Sequence, residues 1–62
     1  MAETRTRKIV ARLKREGWVR AGGSKHDKFE HPGRPGALIV VPRHPEIKPG
    51  TARSIAKAAG WM

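Results

Sequence analysis

His26, His31 and His44 are the only side chains in this sequence whose unperturbed pKa lies near neutrality, so acid–base chemistry is sought at them first. The sequence contains no cysteine, which removes thiolate metal sites, disulfide frameworks and cysteine nucleophiles. A zinc site is poorly supplied as well. His26 and His31 lie five apart, an odd offset that aims them at opposite faces of a strand. The acidic residues near the histidines are only Asp27, Glu30 and Glu46, a thin set against the tetrahedral ligand count of zinc. The residues therefore call for neither a metal nor another cofactor.

His26 stands apart from the other two. It follows Gly22-Gly23-Ser24-Lys25, and Lys25 and Lys28 lie beside it. Residues i and i+2 on a strand are about 6.6 Å apart, so Lys28 reaches the same phosphodiester that His26 would touch. Cleaving RNA requires a base for the 2′-hydroxyl, a proton for the leaving oxygen and cationic charge on the crowded phosphate. A histidine among lysines offers the first and third without a metal, although the same pattern also describes an ordinary solvated surface. His31 follows Phe29 at strand spacing and precedes Pro32, and reads as a half-buried or rim histidine. His44, within Pro42-Arg43-His44-Pro45, reads equally as a phosphate contact or as a turn residue.

These side chains need elements to hold them. From Thr4 to Glu16 the apolar residues Ile9, Val10 and Leu13 share one face of an amphipathic helix. Thr4 or Thr6 is the expected N-cap, Gly17 the left-handed C′ residue, and Trp18 the apolar residue that folds back. A short extended stretch, Trp18 to Ala21, leads to a turn at Gly22-Gly23-Ser24. His26 to His31 alternates as a strand, with Asp27, Phe29 and His31 facing the core and His26, Lys28 and Glu30 the open face. Pro32-Gly33-Arg34-Pro35-Gly36 reads as a hairpin loop. Ala37 to Val41, apolar on both faces, reads as a central strand ended by Pro42 and Pro45. A second helix begins at Pro49, with Thr51 an alternative cap, and carries the stripe Ala52, Ile55, Ala56 and Ala59. Gly60-Trp61 repeats the ending of the first helix. The expected fold is α+β: an α-β-β-β-α chain with a three-stranded antiparallel sheet and both helices on one face.

Length and charge narrow the class further. The 62 residues, 6.9 kDa, form one domain spanning 1–62 with a thin core, since a chain this short buries only about 60% of its unfolded surface. Hydrophobic residues make up 37%, below the roughly 45–50% of ordinary globular chains. Ala37-Leu38-Ile39-Val40-Val41 is the longest apolar run, far short of the ~20 residues that span a bilayer. No apolar segment of a secretory signal follows the charged N-terminus, so the expected location is the cytoplasm, with no membrane partner. Fourteen Lys and Arg against five Asp and Glu give a net charge of +9, above the roughly 2–8 that solubility asks of a small domain. The basic residues are spread along the chain, as on a folded surface, and the implied partner is a polyanion.

The ordered motifs make the sequence recognisable. Gly17-Trp18 after an amphipathic helix, Gly23-Ser24-Lys25-His26, Phe29-Glu30-His31-Pro32, Val41-Pro42-Arg43-His44, and Lys48-Pro49-Gly50-Thr51-Ala52-Arg53-Ser54-Ile55 follow one another across nearly the whole chain. Together they resemble the HicA family of bacterial toxins, the mRNA interferases of HicA–HicB toxin–antitoxin pairs. The resemblance implies a fold like that of a double-stranded RNA-binding domain, and a ribosome-independent, metal-independent endoribonuclease silenced by a HicB-type antitoxin bound over its active face. The family's catalytic histidine follows the Gly-Ser pair, and His26 is the histidine that matches. Many relatives carry two consecutive histidines there, and this chain has Lys25 in the first place. Others carry a single histidine after a different residue, as here. On this reading His26 is the general acid or base, and Ser24, Lys25, Lys28 and Arg43 contact RNA. The antitoxin meets His26, Lys28 and Arg43.

The alternative is a non-catalytic double-stranded RNA-binding module, which reads A-form geometry over about 16 base pairs. A DNA-binding helix-turn-helix fits less well, because it has no place for the strand at 37–41.

Overall fold

The computed structural model describes residues 3–23 and 25–62. Its elements run α1 (Thr6–Arg15), β1 (Val19–Gly22), β2 (His26–His31), β3 (Arg34–Pro42) and α2 (Pro49–Ala59), in the order that the sequence pattern predicts. The three strands form one antiparallel sheet ordered β1-β2-β3. Phe29, Ile39 and Val41 on one sheet face join Ile9 and Leu13 of α1 and Ala52, Ile55 and Ala59 of α2 in a single core, with Trp18 and Ile47. Both helices therefore cover the same face, and the opposite face of the sheet is open.

The two helices end in the same way. Gly17, at φ +97°, lets its own N–H bond the Lys14 carbonyl (3.1 Å) and the Trp18 N–H bond that of Leu13 (2.9 Å). This is the Schellman arrangement, and it turns Trp18 into the core at 3% exposure. A Cβ at Gly17 would also lie 3.0 Å from the His31 ring. At the end of α2, Gly60 N–H meets the Lys57 carbonyl and Trp61 N–H that of Ala56.

Three details differ from the sequence reading. The threonines do not cap: Arg5 and Lys48 occupy the N-cap positions without a side-chain cap bond, and Thr51 lies inside α2. Thr4 Oγ1 instead donates to Glu46, and Thr6 Oγ1 to the His44 carbonyl. These bonds, with Thr6 N–H to Pro45 O and Ile47 N–H to Thr4 O, tie the start of α1 to the β3–α2 connection. Tertiary partners outcompeted the local caps.

Secondly, β3 is an edge strand, and the central one is β2. Apolarity on both faces of 37–41 thus leaves Leu38 and Val40 exposed on the open face instead of enclosed. Thirdly, the hairpin turn is shorter than Pro32 to Gly36, because β3 already begins at Arg34. The register passes from His31↔Arg34 to Glu30↔Leu38, so Pro35, Gly36 and Ala37 are accommodated as a bulge. An edge strand with a bulge is where a proline is tolerated, since no neighbour needs its missing N–H.

Candidate functional site

The open face follows from strand alternation and register. Residues paired across an antiparallel sheet point the same way, so each pairing is a row on one face. His26 lies opposite Pro42, Lys28 opposite Val40 and Gly22, and Glu30 between Val19 and Leu38. His26, Lys28 and Glu30 are exposed, whereas Asp27 and His31 are half-buried and Phe29 is fully buried on the helix side. The alternation expected from sequence is the alternation observed.

The backbone before His26 is held in place by two devices. Gly23 sits at φ +111°, and a Cβ there would come within 1.9 Å of the His26 carbonyl oxygen. Only glycine allows the chain to fold this closely against the residue it presents. From the other side, the Arg43 guanidinium donates to Asp27 Oδ1 through Nε (3.1 Å) and to the Gly23 carbonyl through Nη2 (3.1 Å). Asp27 also faces Arg20 at 3.7 Å. Thus Arg43, expected on RNA and antitoxin, joins the start of β2 to Gly23. Lys25 is exposed beside His26, and Ser24 lies outside the described residues.

The other two histidines are placed differently. In His31, Nδ1 accepts the Gly33 N–H (2.9 Å) and Nε2 donates to the Glu16 carbonyl (2.9 Å). Its ring meets Trp18 edge-on at 5.2 Å. It is a structural histidine that links the end of α1 to the β2–β3 turn. His44 is exposed on the β3–α2 connection, where its carbonyl accepts from Thr6. Among the described residues no three of His, Asp and Glu gather as metal ligands.

Asp27 is the residue whose importance sequence reasoning passed over. A carboxylate on the core-facing side of a strand must find a cationic partner. The pairing of His26 with Pro42 brings Arg43, the next residue, to it. The signal was present, but it needed the strand register to be read.

Chemically, the arrangement presents an exposed imidazole at the start of a strand, with ammonium groups on either side of it in the chain. No helix among the described residues is long and apolar enough to cross a membrane. No individual curated protein matches the chain. The model of the HicA toxin of bacterial toxin–antitoxin systems matches residues 6–61, both helices and all three strands included. The chain belongs to the HicA toxin family, and so is the toxin of a pair whose other member is an antitoxin.

Proposed function

We propose that this toxin is a metal-independent endoribonuclease, an mRNA interferase, in which His26 is the general acid or base. The observation that carries the reading is the exposed His26 at the start of β2, on a sheet face that neither helix covers, with Lys25 and Lys28 nearby. The 2′-oxygen attacks phosphorus while its proton passes to a base. The bond to the 5′-oxygen breaks as that oxygen takes up a proton, leaving a 2′,3′-cyclic phosphate and a 5′-hydroxyl. His26 carries one of these two transfers, and at so exposed a position water carries the other. Lys25 and Lys28 offset the charge on the phosphoryl oxygens, with Ser24 and Arg43 completing the RNA contacts. Arg43 combines this role with its hold on the loop.

A HicB-type antitoxin silences the enzyme by covering His26, Lys28 and Arg43. An acidic surface on it would complement the +9 charge and associate faster at low salt. The toxin acts in the cytoplasm, where mRNA and antitoxin meet.

His26→Ala is the test. Loss of a positioned acid–base group is expected to slow cleavage by roughly 10²–10⁴-fold. RNA binding and fold should be retained, because the lysines remain and an exposed substitution shifts stability by only about 0.5 kcal/mol. Expression without antitoxin should change from growth arrest to tolerance, and a chelator should leave the wild-type rate unaltered. Cleavage by folded His26→Ala at the wild-type rate would refute the assignment. Wild-type protein that binds RNA and never cuts it would be a double-stranded RNA-binding module instead. In a purified complex, His26 still open to chemical modification would rule out occlusion by the antitoxin.

A further inference from the structure

The protein has five acidic residues among fourteen Lys and Arg, and four of the five are engaged. Glu3 accepts the Arg5 N–H, and Glu16 accepts Arg12 and the Trp61 indole. Asp27 holds Arg43 and Arg20, and Glu46 accepts Thr4. Glu30 alone has no hydrogen bond or ion pair among the described residues. It stands exposed on the open face, in the same strand as His26 and Lys28. The cation nearest in the hairpin, Arg34, is turned away from it, its guanidinium lying beside Gly60 and over the Trp18 ring.

A free carboxylate on a face that binds phosphates opposes that binding, so it calls for a different ligand group. Its neighbours indicate which. Val19 of β1 and Leu38 of β3 flank Glu30 in one cross-strand row, and both side chains are more than half exposed, at 54% and 52%. With strands about 4.8 Å apart, the two outer backbones stand about 10 Å from each other. Glu30 occupies the middle of that span, so the two aliphatic side chains offer apolar contact on either side of its carboxylate. Pro35 and Gly36 of the bulge line the same hollow. The resulting cup, lined by Val19, Glu30, Pro35 and Leu38 among others, has a volume of about 570 Å³. That lies within the range of small-molecule sites, about 300–1,000 Å³.

We infer that Glu30, Val19 and Leu38 form a nucleobase subsite that selects guanine. The inference deepens the ribonuclease reading and rests on it for its biological meaning. Val19 and Leu38 offer apolar contact to a flat ring, and the carboxylate between them offers two acceptors and no donor. Guanine presents two adjacent donors, N1–H and N2–H, which match both carboxylate oxygens. Adenine and cytosine offer one amino group beside an acceptor nitrogen, and uracil one N–H between two carbonyl oxygens. The expected order is guanine, then adenine and cytosine, then uracil. Glu30 lies four residues from His26, about 13 Å along the strand. The base it reads therefore flanks the cut and does not belong to the ribose being cleaved.

The experiment measures binding of wild-type protein to short 2′-O-methyl oligonucleotides that carry guanine, inosine, adenine, cytosine or uracil at one central position. Blocking the 2′-oxygen prevents cleavage, so base preference is read independently of catalysis. Guanine is expected to bind roughly tenfold more tightly than uracil, as a bidentate contact allows. Inosine, which lacks the N2 amino group, should lose most of that gain. Glu30→Gln and Glu30→Ala should abolish the preference, and Glu30→Ala should bind uracil at least as tightly as the wild type does. Leu38→Ser should weaken all five oligonucleotides alike, with circular dichroism confirming the fold. Equal affinity for guanine, inosine and uracil overturns the inference, as does a preference that survives Glu30→Ala. If Glu30→Ala and Leu38→Ser weaken antitoxin binding alone, the cup is a protein interface and the inference fails. A guanine preference in a protein that cuts no unmodified RNA would sustain the subsite and refute the ribonuclease.

Discussion

Arg43 Nε donates to Asp27 Oδ1 at 3.1 Å, and the same guanidinium reaches the Gly23 carbonyl. One side chain from the end of the sheet thereby joins the second residue of β2 to the loop that precedes it. His26 lies between the two anchored points. Its backbone is therefore positioned from both sides, while its side chain stays in solvent.

Breaking this clamp should affect turnover more than stability. The Arg43 side chain is about half exposed, and such ion pairs contribute only about 0–1 kcal/mol. Misplacing a reacting group by about 1 Å can cost up to 10²-fold in rate. Asp27→Asn should therefore lower kcat with little change in KM or Tm. Arg43→Lys, which keeps the charge but loses the fork, should keep RNA affinity and lower kcat. A rise in KM with kcat unchanged would assign Arg43 to phosphate contact only.

The +9 charge predicts a steep salt response. Binding to single-stranded RNA should weaken with a log–log slope of roughly −0.7 per phosphate contacted. Reversing charge at Lys25 and Lys28 should reduce both affinity and slope. A titration with no slope would remove the electrostatic account.

Phe29 lies at the centre of the core with no exposed surface. Phe29→Ala should destabilise the domain by about 3–5 kcal/mol, from lost burial and the cavity left behind. For a 62-residue domain that approaches the whole of its stability, about 0.05–0.15 kcal/mol per residue. Denaturant unfolding should show little or no native baseline.

Glu16 has its pKa lowered by the hydrogen bond from the Trp61 indole (2.7 Å) and then by Arg12 (3.0 Å). A lowered folded-state pKa stabilises above the unfolded value and loses that contribution as pH falls through the folded one. Wild-type Tm should therefore fall more on acidification below the usual carboxylate range than that of Glu16→Gln. Trp61→Phe should remove most of the difference, which thermal melts across that range would detect.

The periodic elements of this protein could be read before any contact between them was known. Helix and strand periods, glycine endings and proline breaks act over a few residues, so α1, β2 and α2 were legible. So was the exposure of His26 and Lys28, because alternation requires it once Phe29 is buried. Features that depend on residues far apart in the chain emerged only from the packing of the elements. An apolar run looks the same whether it is central or at an edge, so only strand order showed that β3 is outermost and that Leu38 and Val40 lie open. Thr4 and Thr6 had local capping to offer, yet partners some forty residues away took their hydroxyls. Arg43 and Asp27 are 16 residues apart and meet only because β2 and β3 pair in one register. That same register puts Glu30 between two aliphatic side chains, since a shift of one residue would turn it to the other face.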